Sequence, residues 1–320
     1  VHPIRKPQPV PLSILVALFG AFLHAGDAGA QVPFPRVGGY VQLRETAAEG
    51  VGLSAALNRA RFSIDGSLPS RFSYRVLVET EASAGIRNPA TVSLREAIIR
   101  WAPGSFALTA GQFKTPFSRE YLLPVPVLET PDFAAVVDSL SPKYDVGVMG
   151  EYALGPVASV FLGVFNGEGQ NAIANRDSTV LPIARLVVRP IAQIGLASSI
   201  ARDSGDSLRW TAEAQIEERG VMVRGEYITR HVRGRPGEDD DAGWYVLAVV
   251  RVVPQVQLLG RQEDFQRPHY GVGRRVHATT VGTIIEIAPN RVRLLLDGVR
   301  RRFGMQDPID TLIGQIQVRF

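Results

Sequence analysis

Of the 35 basic side chains, 32 are arginines, and the lysines are Lys6, Lys114 and Lys143. A guanidinium stays protonated at any relevant pH, and its forked N–H donors match two oxygens of a phosphate or carboxylate. Fixed groups of this kind can replace the water that an anion sheds in a narrow passage. Codon composition alone can produce an arginine excess, so position matters more than number. Many arginines alternate with apolar residues, as in Arg59-Ala60-Arg61-Phe62 and Tyr74-Arg75-Val76. In an extended chain, residues i and i+2 share a face and lie about 7 Å apart, so cations at this spacing form steps along one wall. Several moderate steps permit ion transfer, whereas one very tight site would stop it.

Other chemistry finds less support. There is no cysteine, which excludes a disulfide framework and thiolate-ligated metal sites. His231, His269 and His277 stand near expected loops or strand ends, without Ser and Asp or Asn at triad spacing. The glycine-rich run Gly163 to Gly169 continues an expected strand into a loop, and no following helix would cradle a phosphate. Glu238-Asp239-Asp240-Asp241 reads as a solvated acidic loop tip. No enzyme, metal, cofactor or nucleic-acid partner is expected.

The elements that must position the arginines are strands. From Gly38 onward the chain divides into segments of about ten residues with alternating polarity, separated by Gly, Pro, Asn and Asp, which is the pattern of transmembrane β-barrels. The expected strands are 38–46, 57–66, 72–81, 93–102, 106–115, 144–153, 157–166, 181–190, 193–202, 208–218, 221–232, 244–253, 256–266, 277–288, 291–302 and 311–320. About sixteen strands is an even number, as single-chain bacterial barrels require. Short links such as Leu154-Gly155-Pro156 and Pro289-Asn290 alternate with longer ones, as for inner turns and outer loops. Charges on the lipid side cost roughly 2–4 kcal/mol at mid-membrane, so the polar face is assigned to the lumen. That face carries Arg44, Arg59, Arg61, Arg75, Arg100, Lys114, Arg185, Arg189, Arg224, Arg261, Arg293 and Arg319 as candidate anion contacts. It also carries Asp65, Glu79, Glu96, Glu213, Glu217, Glu226 and Glu263, which can pair with them. Tyr40, Trp101, Trp210, Trp244 and Tyr245 lie near expected strand ends, where aromatic girdles form.

The longest link, Pro116 to Lys143, is too apolar for an exposed loop. It is expected to fold into the barrel as a constriction, with Phe117, Arg119 and Tyr121 on its first turn. Arg5 and Lys6 followed by apolar Leu12 to Leu23 and by Ala28-Gly29-Ala30 read as a secretory signal peptide over 1–30, which leaves 31–320 as the barrel domain. The terminal Phe320, preceded by alternate apolar residues, reads as the signal recognised by barrel-assembly machinery.

Gly111-Gln112-Phe113-Lys114-Thr115-Pro116-Phe117 and Asn58-Arg59-Ala60-Arg61-Phe62-Ser63-Ile64-Asp65-Gly66 resemble stretches of the phosphate-selective porins O and P. The resemblance runs in strand order from about Gly38 to Phe320 and is sharpest in the first half. It implies an outer-membrane trimeric barrel of sixteen strands, with an inward-folded third loop and a ladder of basic residues that passes phosphate-like anions. Lipid and lipopolysaccharide would surround it. Two rival readings stay open: a general or weakly cation-preferring porin, and a plugged barrel with an adhesive or enzymatic role.

Overall fold

The computed structural model describes residues 34–81, 91–172, 174–203, 207–233, 240–267 and 275–320. They form a closed antiparallel barrel of sixteen strands, each paired with its sequence neighbours, with the first strand sealed against the last. The strands are β1 (Arg36–Ala48), β2 (Gly52–Leu68), β3 (Phe72–Glu81), β4 (Thr91–Trp101), β5 (Phe106–Lys114), β6 (Tyr144–Leu154), β7 (Ala158–Phe165) and β8 (Leu181–Ile191). The second half comprises β9 (Ile194–Asp203), β10 (Ser207–Glu218), β11 (Val221–Val232), β12 (Asp241–Val253), β13 (Val256–Gln266), β14 (Arg275–Ala288), β15 (Val292–Phe303) and β16 (Ile309–Arg319). Closure satisfies every edge, a requirement for backbone that crosses lipid. It is completed where Gly39 and Phe320 exchange backbone hydrogen bonds of 3.1 and 3.0 Å. The expected leader over 1–30 lies outside the described residues.

Alternation sorts the side chains as expected. Phe62, Ile64, Val76, Trp210, Ile216, Leu312, Ile316 and Val318 point outward and are exposed, while Gln42, Glu79, Thr211, Glu213, Gln315 and Gln317 are buried inside. Two aromatic belts flank the apolar outer band. Near the end where β1 begins and β16 ends, Trp101 stacks on Phe72 and meets Phe106, each at 6.3 Å between ring centres. Near the other end Trp210 meets Tyr227 at 6.1 Å, and Tyr227 is opposite Trp244 in register. Tyr40 and Tyr245 differ from expectation: they face inward and are buried, so they belong to the lumen and not to a girdle.

Bulges in β2 and β4 change the phase of alternation. The β1–β2 register shifts between Gln42 and Leu43, which turns Asn58 inward beside Arg59. Beyond it Leu53 and Leu57 keep to the outer face, and β2 starts at Gly52, five residues before the expected start. The first outer link is therefore the tight turn Glu49-Gly50-Val51, as short as the inner turns. In β4 the register with β3 passes from Leu77–Glu96 to Val78–Leu94, so Arg95 is the extra residue and joins Glu96 on the lumen side.

The segment between β5 and β6 folds inside the barrel. It contains helix α1 (Arg119–Leu122), a 3-10 turn (Val125–Val127) and helix α2 (Ala135–Leu140). Helix α2 packs on β11, β12 and β13, where Val136, Val137 and Leu140 are fully buried among Ile228, Tyr245, Leu247 and Phe265. Burying each such side chain stabilises by roughly 1.5–3 kcal/mol, and the apolar run in this loop thus holds it against the wall. Phe113, Phe117, Tyr144 and Phe165 extend the same core toward β5–β7.

Candidate functional site: the lumen and its charged walls

The inward loop divides the lumen into two unlike halves. On the side of β8–β15 several wall charges are committed to the loop. Helices this short leave most of their N-terminal amides unbonded, and wall carboxylates supply the missing acceptors. Glu226 accepts from the Glu120 backbone N–H at 2.6 Å and from Ser118 Oγ at 2.7 Å, and it also accepts the Tyr245 hydroxyl at 2.9 Å. At the start of α2, Ala134 N–H donates to Glu120 at 2.9 Å and Ala135 N–H donates to Glu263 at 2.6 Å.

Most of the arginines expected to line the passage hold the loop or a buried partner. Arg185 donates to Glu213 at 2.5 and 2.6 Å and to the Phe117 carbonyl at 2.5 Å. Arg224 binds Glu129 at 2.6 Å. Arg261 donates to Thr130 Oγ1 at 2.7 Å and to the Asp132 carbonyl at 2.9 Å, and lies 3.3 Å from Glu263. Arg293 donates to the Pro126 carbonyl at 2.7 Å and pairs with Glu286 at 2.7 Å. Arg44 grips Asp132 at 2.9 Å and the Pro131 carbonyl at 3.1 Å. Phe117 is wholly buried; Tyr121 packs between Phe133 and Tyr144 at 5.3 and 6.1 Å. Arg119 extends beside Gly195, with Glu213 at 3.7 Å. Arg189 is exposed near the end of β8.

The other half, bounded by β1–β6 and β16, keeps an open cavity of about 460 Å³. Its charged lining is Arg61, Arg75, Lys114 and Arg319 against one carboxylate, Glu96. Tyr40, Leu77, Tyr144 and Phe320 line it from the wall, and Leu122, Pro124, Val125 and Pro126 face it from the loop. Just behind this lining, Glu79 alone takes three guanidiniums: Arg61 at a very short contact, Arg95 at 3.1 Å and Arg59 at 3.6 Å. Arg75 is shared between Asp65 at 2.9 Å and Glu96 at 2.8 Å. Arg100 sits lower, paired with Glu151 at 2.8 Å. Arg319 has no ion pair among the described residues.

Lys114 faces this cavity but spends its donors on the loop, at 2.6 Å to the Tyr121 carbonyl and 2.7 Å to that of Leu123. Its ammonium lies 5.1 Å from the centre of the Tyr121 ring and 5.9 Å from that of Tyr144. Arg95 and Tyr40 belong to this site and were not among the expected lumen contacts. Strict alternation sends Arg95 outward, and nothing in the residue types announces the bulge that reverses it. Of the acidic tip, Asp240 bonds His231 at 2.7 Å and Asp241 pairs with Arg230 at 3.2 Å, whereas Glu238, Asp239 and His269 lie outside the described residues.

The sequence profile of the phosphate-selective porins O and P matches residues 38–197, half of the chain, including the β1–β6 side of this cavity. The protein belongs to this family. No curated protein matches the chain in sequence. Among solved structures, the outer-membrane channel DcaP of Acinetobacter baumannii superposes with a TM-score of 0.71 at 12% identity, over 92% of this chain and 99% of that one. The in-vitro folded trimer form of OmpT from Vibrio cholerae gives 0.68 at 10% identity, over 90% and 100%. An anion-selective porin from Comamonas acidovorans gives 0.65 at 11% identity, over 91% and 100%. These likenesses establish the porin fold. Family and fold together place this porin in the outer membrane as a channel and not as an enzyme.

Proposed function

We propose that this porin is a passive diffusion channel for small anions, phosphate-like ions included, and that its path runs between the inward loop and the β1–β6 wall. The observation that carries the reading is the composition of the cavity: four basic side chains against one acidic side chain. An anion there exchanges part of its hydration for fixed positive charge, while a cation meets a field of its own sign. The anion selectivity of the Comamonas porin, which shares the fold, agrees with this reading. Arg61, Arg75 and Arg319 act as the ion contacts, and Arg44, Arg185, Arg224, Arg261 and Arg293 act as anchors of the constriction. Residues 1–30 serve as the export leader, 31–320 as the barrel, and Phe320 as the assembly signal. The channel assembles as a homotrimer, as the trimer form of OmpT does, among outer-membrane lipid and lipopolysaccharide.

The test is the reversal potential of the purified protein across a planar bilayer with a KCl gradient. Chloride preference is expected in the native chain, and it falls toward neutrality in Arg61→Ala/Arg75→Ala/Arg319→Ala. Cation preference in the native chain overturns the reading and favours a channel whose lumen carboxylates dominate.

A further inference from the structure

The cavity has a second property besides its charge: one of its walls is apolar. The loop presents Leu122, Pro124, Val125 and Pro126 to it, and none of these carries a side-chain group that could replace hydration water. Facing them are the guanidinium of Arg61 and Arg319, which has no ion pair among the described residues, with the rings of Tyr40 and Tyr144 alongside. Both tyrosines are more than nine-tenths buried, and neither hydroxyl has a hydrogen-bond partner. Both hydroxyls are sealed from the cavity, so it is the rings that border it. The Arg61 guanidinium also lies 5.7 Å from the centre of the Tyr40 ring, which holds it at the cavity wall.

Resting on the anion-channel reading, we infer that the cavity is a subsite for organic monoanions, a carboxylate on an apolar ring or short chain, in preference to inorganic phosphate. The carboxylate meets Arg61 and Arg319, and the apolar body lies on the Val125–Pro126 wall. Inorganic phosphate exposes oxygen on every side, so an apolar wall strips water from it without recompense, whereas the same wall costs an apolar body nothing and gains its burial.

The experiment measures block of single-channel chloride current by benzoate and by inorganic phosphate, with the KCl reversal potential recorded on the same channels. Benzoate is expected to half-block at a concentration at least about tenfold below that of phosphate. Arg319→Gln, which breaks no ion pair among the described residues, is expected to raise the benzoate value roughly tenfold, the worth of about 1.4 kcal/mol. Val125→Asn is expected to narrow the gap between the two blockers. Phosphate blocking at an equal or lower concentration than benzoate overturns the inference, as does a benzoate value unmoved in both variants. A chloride-preferring reversal potential with either of those results sinks this inference alone; a cation-preferring one sinks the anion-channel reading and this inference with it.

Discussion

At Lys114 the ammonium group donates to two carbonyls at the end of α1, and its role follows from those partners more than from its charge. Hydrogen bonds from a charged donor contribute about 1.5–3 kcal/mol each, so Lys114→Met is expected to loosen the loop by a few kcal/mol. Its signature is a lower thermal midpoint and a noisier open-channel current; an unchanged trace would show that the loop is held without it. Glu120 gives a pH dependence at the same scale. Burial among the loop and wall pushes its carboxyl up from 4.5 to about 7, against the opposing pull of Arg261. The docked loop therefore binds a proton that the released loop gives up. This contribution to anchorage is full below pH 4.5, falls as pH rises toward 7, and levels off above it. Current fluctuations from the loop are expected to grow over that interval in the native channel and to lose the trend in Glu120→Gln.

The strands and the inward loop show what alternation and composition can carry. The sixteen strands emerge from a period of two, since only one face of each can meet lipid, and their boundaries stray mainly where a bulge intervenes. Asn58 and Arg95 have no residue type that marks them as extra; their inward turn depends on the register with Gln42 and Leu77 on neighbouring strands. The inward fold of Pro116 to Lys143 was legible because its apolar residues need a core. Which charges would anchor it was not, because Glu226 and Glu263 meet backbone amides whose position depends on where the loop lands. Hence the sequence shows a ladder of arginines, while the structure separates anchors from cavity-facing groups. Removing three acceptor bonds with Glu226→Ala is expected to undock α1, raise single-channel conductance and weaken ion discrimination. A channel that keeps both values would mean that the apolar face of α2 suffices.

The whole molecule is an asymmetric channel: β8–β15 and the loop form a packed core, and β1–β6 with β16 border the free space. Family membership and fold establish the porin; the proposed one-sided path makes a claim about access that charge substitutions alone cannot isolate. The chain has no cysteine, so single cysteines can report access without background. The direct measurement is inhibition of the single-channel current by a sulfonate-bearing thiol reagent in Ser63→Cys, on the cavity wall, and in Thr211→Cys, on the wall facing the opposite half. A path along the β1–β6 wall gives rapid, stable loss of current in Ser63→Cys and none in Thr211→Cys; block confined to Thr211→Cys would place the path through the other half and contradict it.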